Sequence, residues 1–267
     1  MTAAALVLGL VCLLVVVRTS IPWIGLGPTI LGALSSELKF PNGENGPGPN
    51  PLALLIAEYS GFRELVSGKR VLDFWCGFGD QAGAIAASFN AHVTGLDILE
   101  SDLAEAQRRY PSIRFVSKIP HGERFDVVIS QNSMEHFPDP LATLNEMKDL
   151  LSPGASLLIT FGFPWWHPYG SHCRFFCRLP WLQVWFSEQT IVRVRSRYRD
   201  DGATRFNEAE GGLNKMSLRK FNRLIRECGF KIRSLEYRGI KQQHWLTRIP
   251  LVREFCTGQI TAVLGID

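Results

Sequence analysis

The stretch VLDFWCGFGD, residues 71–80, starts as an apolar run and ends on two glycines one residue apart. Val71, Leu72 and Phe74 are strand formers, and DQAGAIAASF (80–89) continues as a helix of small residues. A glycine turn between strand and helix lets backbone approach a ligand closely, and the helix N-terminus favours negative charge. Trp75 stands where a further glycine would complete the pattern. A positive φ there strains tryptophan by roughly 1–2 kcal/mol, whereas a negative φ leaves only its bulk to accommodate.

Working outward, strands and helices alternate. RVLDF (70–74), AHVTGLDI (91–98), IRFVS (113–117), FDVVIS (125–130) and SLLITFG (156–162) read as strands. Between them, Ser101 is a candidate cap for DLAEAQRRY, and Asp139-Pro140 opens LATLNEMKDLL. Near-continuous apolar strands separated by helices predict an α/β fold, a parallel sheet covered on both faces. Upstream, Asn50 and Pro51 start one amphipathic helix, LALLIAEYSGFRELV, after a Pro/Gly/Asn linker. Downstream, KIRSLEYRG (231–239) and GQITAVLGI (258–266) read as two late strands after the helix SLRKFNRLIREC. The expected division is an apolar segment 1–20, a linker 21–50 and a folded domain 51–267.

Composition agrees with a globular chain: 46% of its 267 residues are hydrophobic and 20% charged. Charge is uneven. Residues 191–267 carry 16 Lys/Arg against 8 Asp/Glu, whereas the rest carries 13 against 17. The basic part permits an anionic partner, and a solvated surface explains it equally. The six cysteines form no pairing framework, and Cys173 and Cys177 with His167 and His172 match no zinc spacing, so packing is expected and no metal. Residues 1–17 lack charged side chains, which suits a single-pass membrane anchor with the domain in the cytoplasm. A cleaved leader or a cytoplasmic chain with a misassigned start are the alternatives.

Asp97 ends the second strand, where a carboxylate can accept ribose hydroxyls. Strand, glycine turn, helix, strand and acid together point to an adenosine-containing cofactor. GFGDQA (77–82) also fits the G-x-G-x-x-A of nicotinamide enzymes. Asp73 argues otherwise: at the strand end it would repel a pyrophosphate and would suit a cofactor with an α-amino group and a sulfonium. S-adenosylmethionine carries both.

With these motifs, residues 50–267 resemble class I S-adenosylmethionine-dependent methyltransferases, in particular the ubiquinone/menaquinone-biosynthesis and type 11 group. VLDFWCGFGD, VTGLDI and FDVVISQNSMEHFPDP (125–140) carry the resemblance, with LLSPGASLLITFG and GGLNKMSLRKFNRLIRECGF in support. It implies a Rossmann-like, seven-stranded, mostly parallel sheet with an antiparallel last strand. It also implies that Asp73, Gly77 and Gly79 surround the methionine part. By the same resemblance Asp97 binds ribose, Ile98 flanks adenine, Asn132 lies near the methionine end and His136 near the acceptor. Trp75 departs from the pattern; facing inward, its indole would meet the sulfonium through cation–π attraction. Ser117 and Lys118 stand where the family often supplies an acid to adenine.

The reaction expected is methyl transfer by in-line displacement to a small-molecule or lipid-like acceptor. His136 is the candidate base, with packing as the plainer alternative. An aromatic-rich insertion, about 163–213, follows strand five and suits a lid or acceptor pocket. Within it, IVRVRSRYR (191–199) would, as a strand, put Arg193, Arg195, Arg197 and Arg199 on one face, to be met by an anionic partner or by the chain's own Asp200, Asp201, Glu208 and Glu210; a lipid-like or phosphate-bearing acceptor near an anionic membrane surface is the expectation. A nicotinamide oxidoreductase and a binding protein that keeps the fold are the competing functions. SQNSME lacks the Asn/Asp-Pro-Pro-aromatic motif of amino-methylating enzymes, which disfavours nucleic acid.

Overall fold

The computed structural model describes residues 27–38, 50–209 and 211–266. The apolar segment expected to anchor the chain, residues 1–17, lies outside them. Among the described residues no helix is long and apolar enough to cross a membrane.

Seven strands form one sheet: β1 (Arg70–Phe74), β2 (His92–Leu96), β3 (Arg114–Val116), β4 (Phe125–Gln131), β5 (Leu151–Gly162), β6 (Lys231–Gly239) and β7 (Thr257–Gly265). Their order is β3-β2-β1-β4-β5-β7-β6. β1 to β5 are parallel, and β7 runs antiparallel to both neighbours. The Rossmann-like sheet and its antiparallel last strand are therefore as the motifs implied. The chain reverses direction of build between β1 and β4, so the crevice at the C-terminal end of β1 is where a ligand belongs.

Alternation along the strands divides the apolar residues between two cores. Leu72, Phe74, Val128, Leu157, Ile159, Phe161 and Ile260 face one side, beneath α6 (Pro140–Asp149) and α9 (Leu218–Glu227). Val71, Val127, Ile129 and Leu158 face the other, beneath α2 (Pro51–Glu58), α3 (Phe62–Val66) and α4 (Asp80–Phe89). The side chain of Asn50 caps α2 and that of Asp139 caps α6, each accepting from two backbone N–H groups.

The insertion is helical, with a third core of its own built on Phe176, Leu182, Phe186, Ile191, Val194 and Phe206. It contains α7 (Leu182–Trp185) and α8 (Glu188–Arg195). Cys173 and Cys177 are buried in this core.

Several expectations need correction. The helix after residue 50 is two helices: the first stops at Glu58, where Tyr59 turns extended, and Gly61 at φ +71° precedes the second. Ser101 is inside α5 (Glu100–Arg109), whose cap position is Leu99. β5 starts at Leu151, so Ser152-Pro153-Gly154 interrupts the strand register and does not precede the strand. Residues 27–38 are not linker. They carry α1 (Gly27–Ala33), whose Leu31 is fully buried against the insertion, and Ser36 and Leu38 donate backbone hydrogen bonds to Phe176 and Phe175. Arg193 and Arg195 sit in a helix, not a strand, so no arginine row forms. Arg195 is buried against Asp201 at 2.7 Å and the Arg199 guanidinium covers the Phe175 ring. Finally, β6 and β7 are joined by the helical turns Ile240–Gln242 and His244–Arg248 and by α10 (Pro250–Cys256), which the sequence reading left unassigned.

Candidate functional site

The turn after β1 takes three left-handed residues in five: Trp75 at φ +62°, Gly77 at +51° and Gly79 at +77°. The two glycines have different tasks. A Cβ on Gly79 would stand 2.7 Å from the Phe115 ring, so that glycine admits the β3 side chain under the turn. A Cβ on Gly77 would meet nothing within 4 Å, and Gly77 lines a cavity of about 830 Å³. That opening is a cradle for a ligand.

Asp97 holds the turn from β2. One carboxylate oxygen accepts from the Gly77 N–H at 2.8 Å and the other from Leu99 N–H at 3.0 Å. A carboxylate has about four acceptor positions, so two remain for ribose hydroxyls. Ile98 lies beside it and exposes 62% of its surface in a wall of the same cavity.

Asp73 is placed differently. It is buried beneath the turn with one oxygen accepting from Gln81 Nε2 at 2.6 Å and the other without a partner. Burial pushes its carboxyl up to about 7, and the nearby Asp97 adds to the effect. A cation supplied from outside would satisfy that oxygen. The cavity itself stops short of Asp73. Trp75, its indole packed edge-on against Phe137 at 4.7 Å between ring centres, lines the wall there. Asn132 takes φ +54° and is exposed, its N–H bonded to the Thr160 carbonyl; neither it nor Gly79 lines the cavity.

His136 lines the same cavity. Its Nδ1 lies 2.8 Å from the Gly211 carbonyl and 2.7 Å from that of Gly212. Carbonyls only accept, so Nδ1 carries a proton, and in the neutral ring Nε2 is then the nitrogen with the lone pair. Glu135 is buried beside it, and burial raises its carboxyl to about 7 against the opposing pull of His136. His172 packs 5.5 Å from His136, ring to ring, and burial lowers it to about 4. The structure therefore brings Trp75, Gly77, Asp97, Ile98 and His136 around one space and leaves Asp73, Gly79 and Asn132 outside it.

The sequence reading missed the far wall: Arg205, Asn207, Gly211, Gly212, Asn214, Lys215 and Lys220. The signal was the pair Gly211-Gly212, at φ +77° and +58°, ahead of the Ser217 cap of α9.

With this geometry the relatives can be placed. The family model described as a methyltransferase domain matches residues 49–235. The chain belongs to this methyltransferase family. A relative from Marinobacter nauticus, named ubiquinone biosynthesis O-methyltransferase, is 32% identical over 142 residues, covering 48% of this chain and 58% of that one. The chain thus matches little more than half the length of that relative. Among solved structures, an S-adenosylmethionine-dependent methyltransferase from Mesorhizobium loti shares the fold with a TM-score of 0.53 at 18% identity, covering 81% of this chain and 98% of its own. The [4+2]-cyclase SpnF shares it with a TM-score of 0.51 at 17% identity, over 79% of this chain and 78% of its own. Membership agrees with the motif reading and makes S-adenosylmethionine the family's cofactor. The residues that line the cavity fit the cofactor's adenosyl part: Gly77 leaves room for it and Asp97 has two acceptor positions free for the ribose hydroxyls, whereas the unpartnered oxygen of Asp73 lies outside that space.

Proposed function

We propose that this methyltransferase-family chain moves the methyl group of S-adenosylmethionine to a hydroxyl oxygen of a small, lipid-like molecule. The observation that carries the reading is the single cavity that joins Gly77, Asp97 and Ile98 to His136. The name of the Marinobacter relative favours oxygen as the atom methylated. Bound there, S-adenosylmethionine supplies a methyl group already activated by its sulfonium.

The chain's own residues do the rest. Gly77 and Asp97 orient the adenosyl end, Ile98 covers the base, and Trp75 gives an aromatic wall towards the positive charge. The orphaned Asp73 oxygen attracts an ammonium once Trp75 yields access to it. His136 Nε2 takes the hydroxyl proton of the acceptor, while the Gly211 and Gly212 carbonyls hold the ring in the required tautomer. Negative charge on Glu135 would favour the imidazolium that results.

Calorimetry with S-adenosylhomocysteine tests the cofactor half. Wild type should bind it, and Asp97→Ala should bind at least tenfold more weakly, losing roughly 1.4 kcal/mol or more. Equal binding by both would remove Asp97 from the site, and NADH binding in its place would favour the oxidoreductase. For the chemical step, His136→Asn can keep the amide donor to Gly211 and Gly212 but has no base. It should lower turnover by about 10²–10⁴ at neutral pH with S-adenosylhomocysteine affinity within about twofold. A variant with full turnover would exclude His136 as the base.

Residues 1–17 are proposed to tether the chain to a membrane. Sedimentation with membranes should be lost when residues 1–26 are removed, a cut that spares α1; retention would contradict the tether.

A further inference from the structure

The cavity is lined by side chains of both charges, and the residues proposed to hold the cofactor include none of the basic ones. Asp97 and Asp102 line it beside the glycine turn, while Arg205, Lys215 and Lys220 line it on the side of the insertion and α9. Lys215 is neutralised within the protein, its Nζ 2.6 Å from the Glu188 carboxylate. The other two cations have no carboxylate within ion-pair distance among the described residues, although Glu188 and Glu208 lie close enough to Arg205 for its charge to lower both carboxyls. Lys220 Nζ donates to the Asn214 carbonyl at 2.6 Å, a neutral partner.

The position of Lys220 is costly in three ways. It occupies the third residue of α9, where the helix dipole disfavours a cation. Its ammonium is half-buried. It also lies near Arg223 and Lys215, and burial followed by the Arg223 charge lowers its proton affinity. Asp139 is the one acid that pulls the other way, and it is not within ion-pair distance. The free N–H groups of the helix end do not explain the site, because they are taken. Glu254 accepts from Leu218 and Arg219, and Ser217 Oγ accepts from Lys220 N–H.

A second unfilled group lies between these cations and His136. Asn214 Nδ2 donates to the carbonyls of Met134 and Phe137, both at 2.9 Å, which fixes the amide. Its Oδ1 is buried without a partner in a residue that lines the cavity. Asn214 N–H donates to the Glu135 carbonyl at 3.0 Å, so the amide is held next to the candidate base. A buried acceptor left open costs about 1–3 kcal/mol unless a ligand donates to it.

We infer that the acceptor carries an ionised oxyacid group, a carboxylate or a phosphate, held by Arg205 and Lys220 in this cavity, with one of its hydroxyls donating to Asn214 Oδ1 beside His136. The inference rests on the methyl-transfer reading for the identity of this space as the acceptor site; the anion site itself does not depend on the chemistry.

Pairs of probes that differ only in charge test it by calorimetry on the full chain, with and without saturating S-adenosylhomocysteine. One pair is 3,4-dihydroxybenzoate against 3,4-dihydroxybenzamide; the other is phenyl phosphate against phenol. At least one anion should bind about tenfold or more tightly than its neutral partner, and which one does separates carboxylate from phosphate. Arg205→Met with Lys220→Met should reduce that preference to within about threefold, and Lys220→Arg should keep it. Arg205→Met alone should lower it too, which covers the case in which Lys220→Met disturbs the start of α9. Equal affinity within both pairs, no probe binding to the protein saturated with S-adenosylhomocysteine, or a preference that survives both substitutions would overturn the inference. If S-adenosylhomocysteine fails to bind but the charge preference is present and is lost in the variants, the methyl-transfer reading falls and the anion site stands.

Discussion

Trp75 pays for its place. At φ +62° a side chain with a Cβ is strained by roughly 1–2 kcal/mol relative to glycine, and the family motif would put glycine here. The indole regains part of that by packing edge-on against Phe137 and partly covering the core beneath it. Edge-to-face contact adds about 0.5–1.5 kcal/mol beyond area burial, so the two contributions nearly cancel. Stability is therefore a poor reason for tryptophan at this residue, whereas its position in the cavity wall is a better one. A ring near a sulfonium is worth about 0.5–1 kcal/mol to the charged cofactor and nothing to the neutral product. Trp75→Gly should thus leave the unfolding free energy within about 1 kcal/mol of wild type and reduce the ratio of S-adenosylmethionine to S-adenosylhomocysteine affinity by about two- to fivefold. Tighter binding of both ligands by the variant would instead mark the indole as an obstruction, the reading that favours a binding protein over an enzyme.

At the scale of elements, the glycine turn separates folding from binding. Gly79 is where Phe115 of β3 passes under the start of α4, with a substituent 2.7 Å from the ring. Gly79→Ala should therefore destabilise the protein by about 2 kcal/mol or more, read by urea denaturation, because a left-handed backbone and an overfilled contact add together. Gly77→Ala meets no protein atom. It should cost only about 1 kcal/mol of stability and weaken S-adenosylhomocysteine by about tenfold or more, since its methyl group would enter the cradle. Similar stability losses in both variants would show that the turn has one task, not two. The same elements show what was legible beforehand. The strands from β1 to β4, the Asn50 and Asp139 caps and the acid at the end of β2 are signalled by local chemistry and stand where the sequence puts them, whereas β5 starts five residues earlier than its apolar run. The misread elements depend on distant partners. IVRVRSRYR alternates as a strand would, yet Ile191, Val192 and Val194 turn inward as a helix because the insertion has its own core to fill. Leu31 is legible as core only once that core exists. The far wall of the cavity escaped for the same reason: Arg205, Asn214 and Lys220 are ordinary polar residues until the fold sets them in one cavity with Asp97.

Across the whole molecule, four buried ionisable groups close to the site bear on stability in opposite senses. Burial raises Asp73 and Glu135 to about 7 and lowers His167 and His172 to about 4. The two raised acids bind more protons in the folded state than in the unfolded one between about pH 4 and 7, so each makes stability fall as pH rises through that window. The two depressed imidazoles bind fewer protons when folded between about pH 4 and 6.5, so each makes stability rise over nearly the same range. Two against two leaves the ligand-free protein with a shallow profile there, although each contribution is large. Asp73→Asn removes one falling contribution and keeps an oxygen for the Gln81 amide to donate to. The ligand-free variant should match wild type within about 1 kcal/mol at pH 4, gain on it as pH rises, and exceed it by roughly 4 kcal/mol at pH 8, where wild type must bury a charge. Urea denaturation at pH 4 and pH 8 measures both differences. Saturation with S-adenosylmethionine should narrow the gap at pH 8, because an ammonium beside Asp73 turns its ionised form from a cost into a contact. A gap of equal size at both pH values would mean that Asp73 is not the group titrating, and a gap at pH 8 untouched by the cofactor would place the ammonium elsewhere.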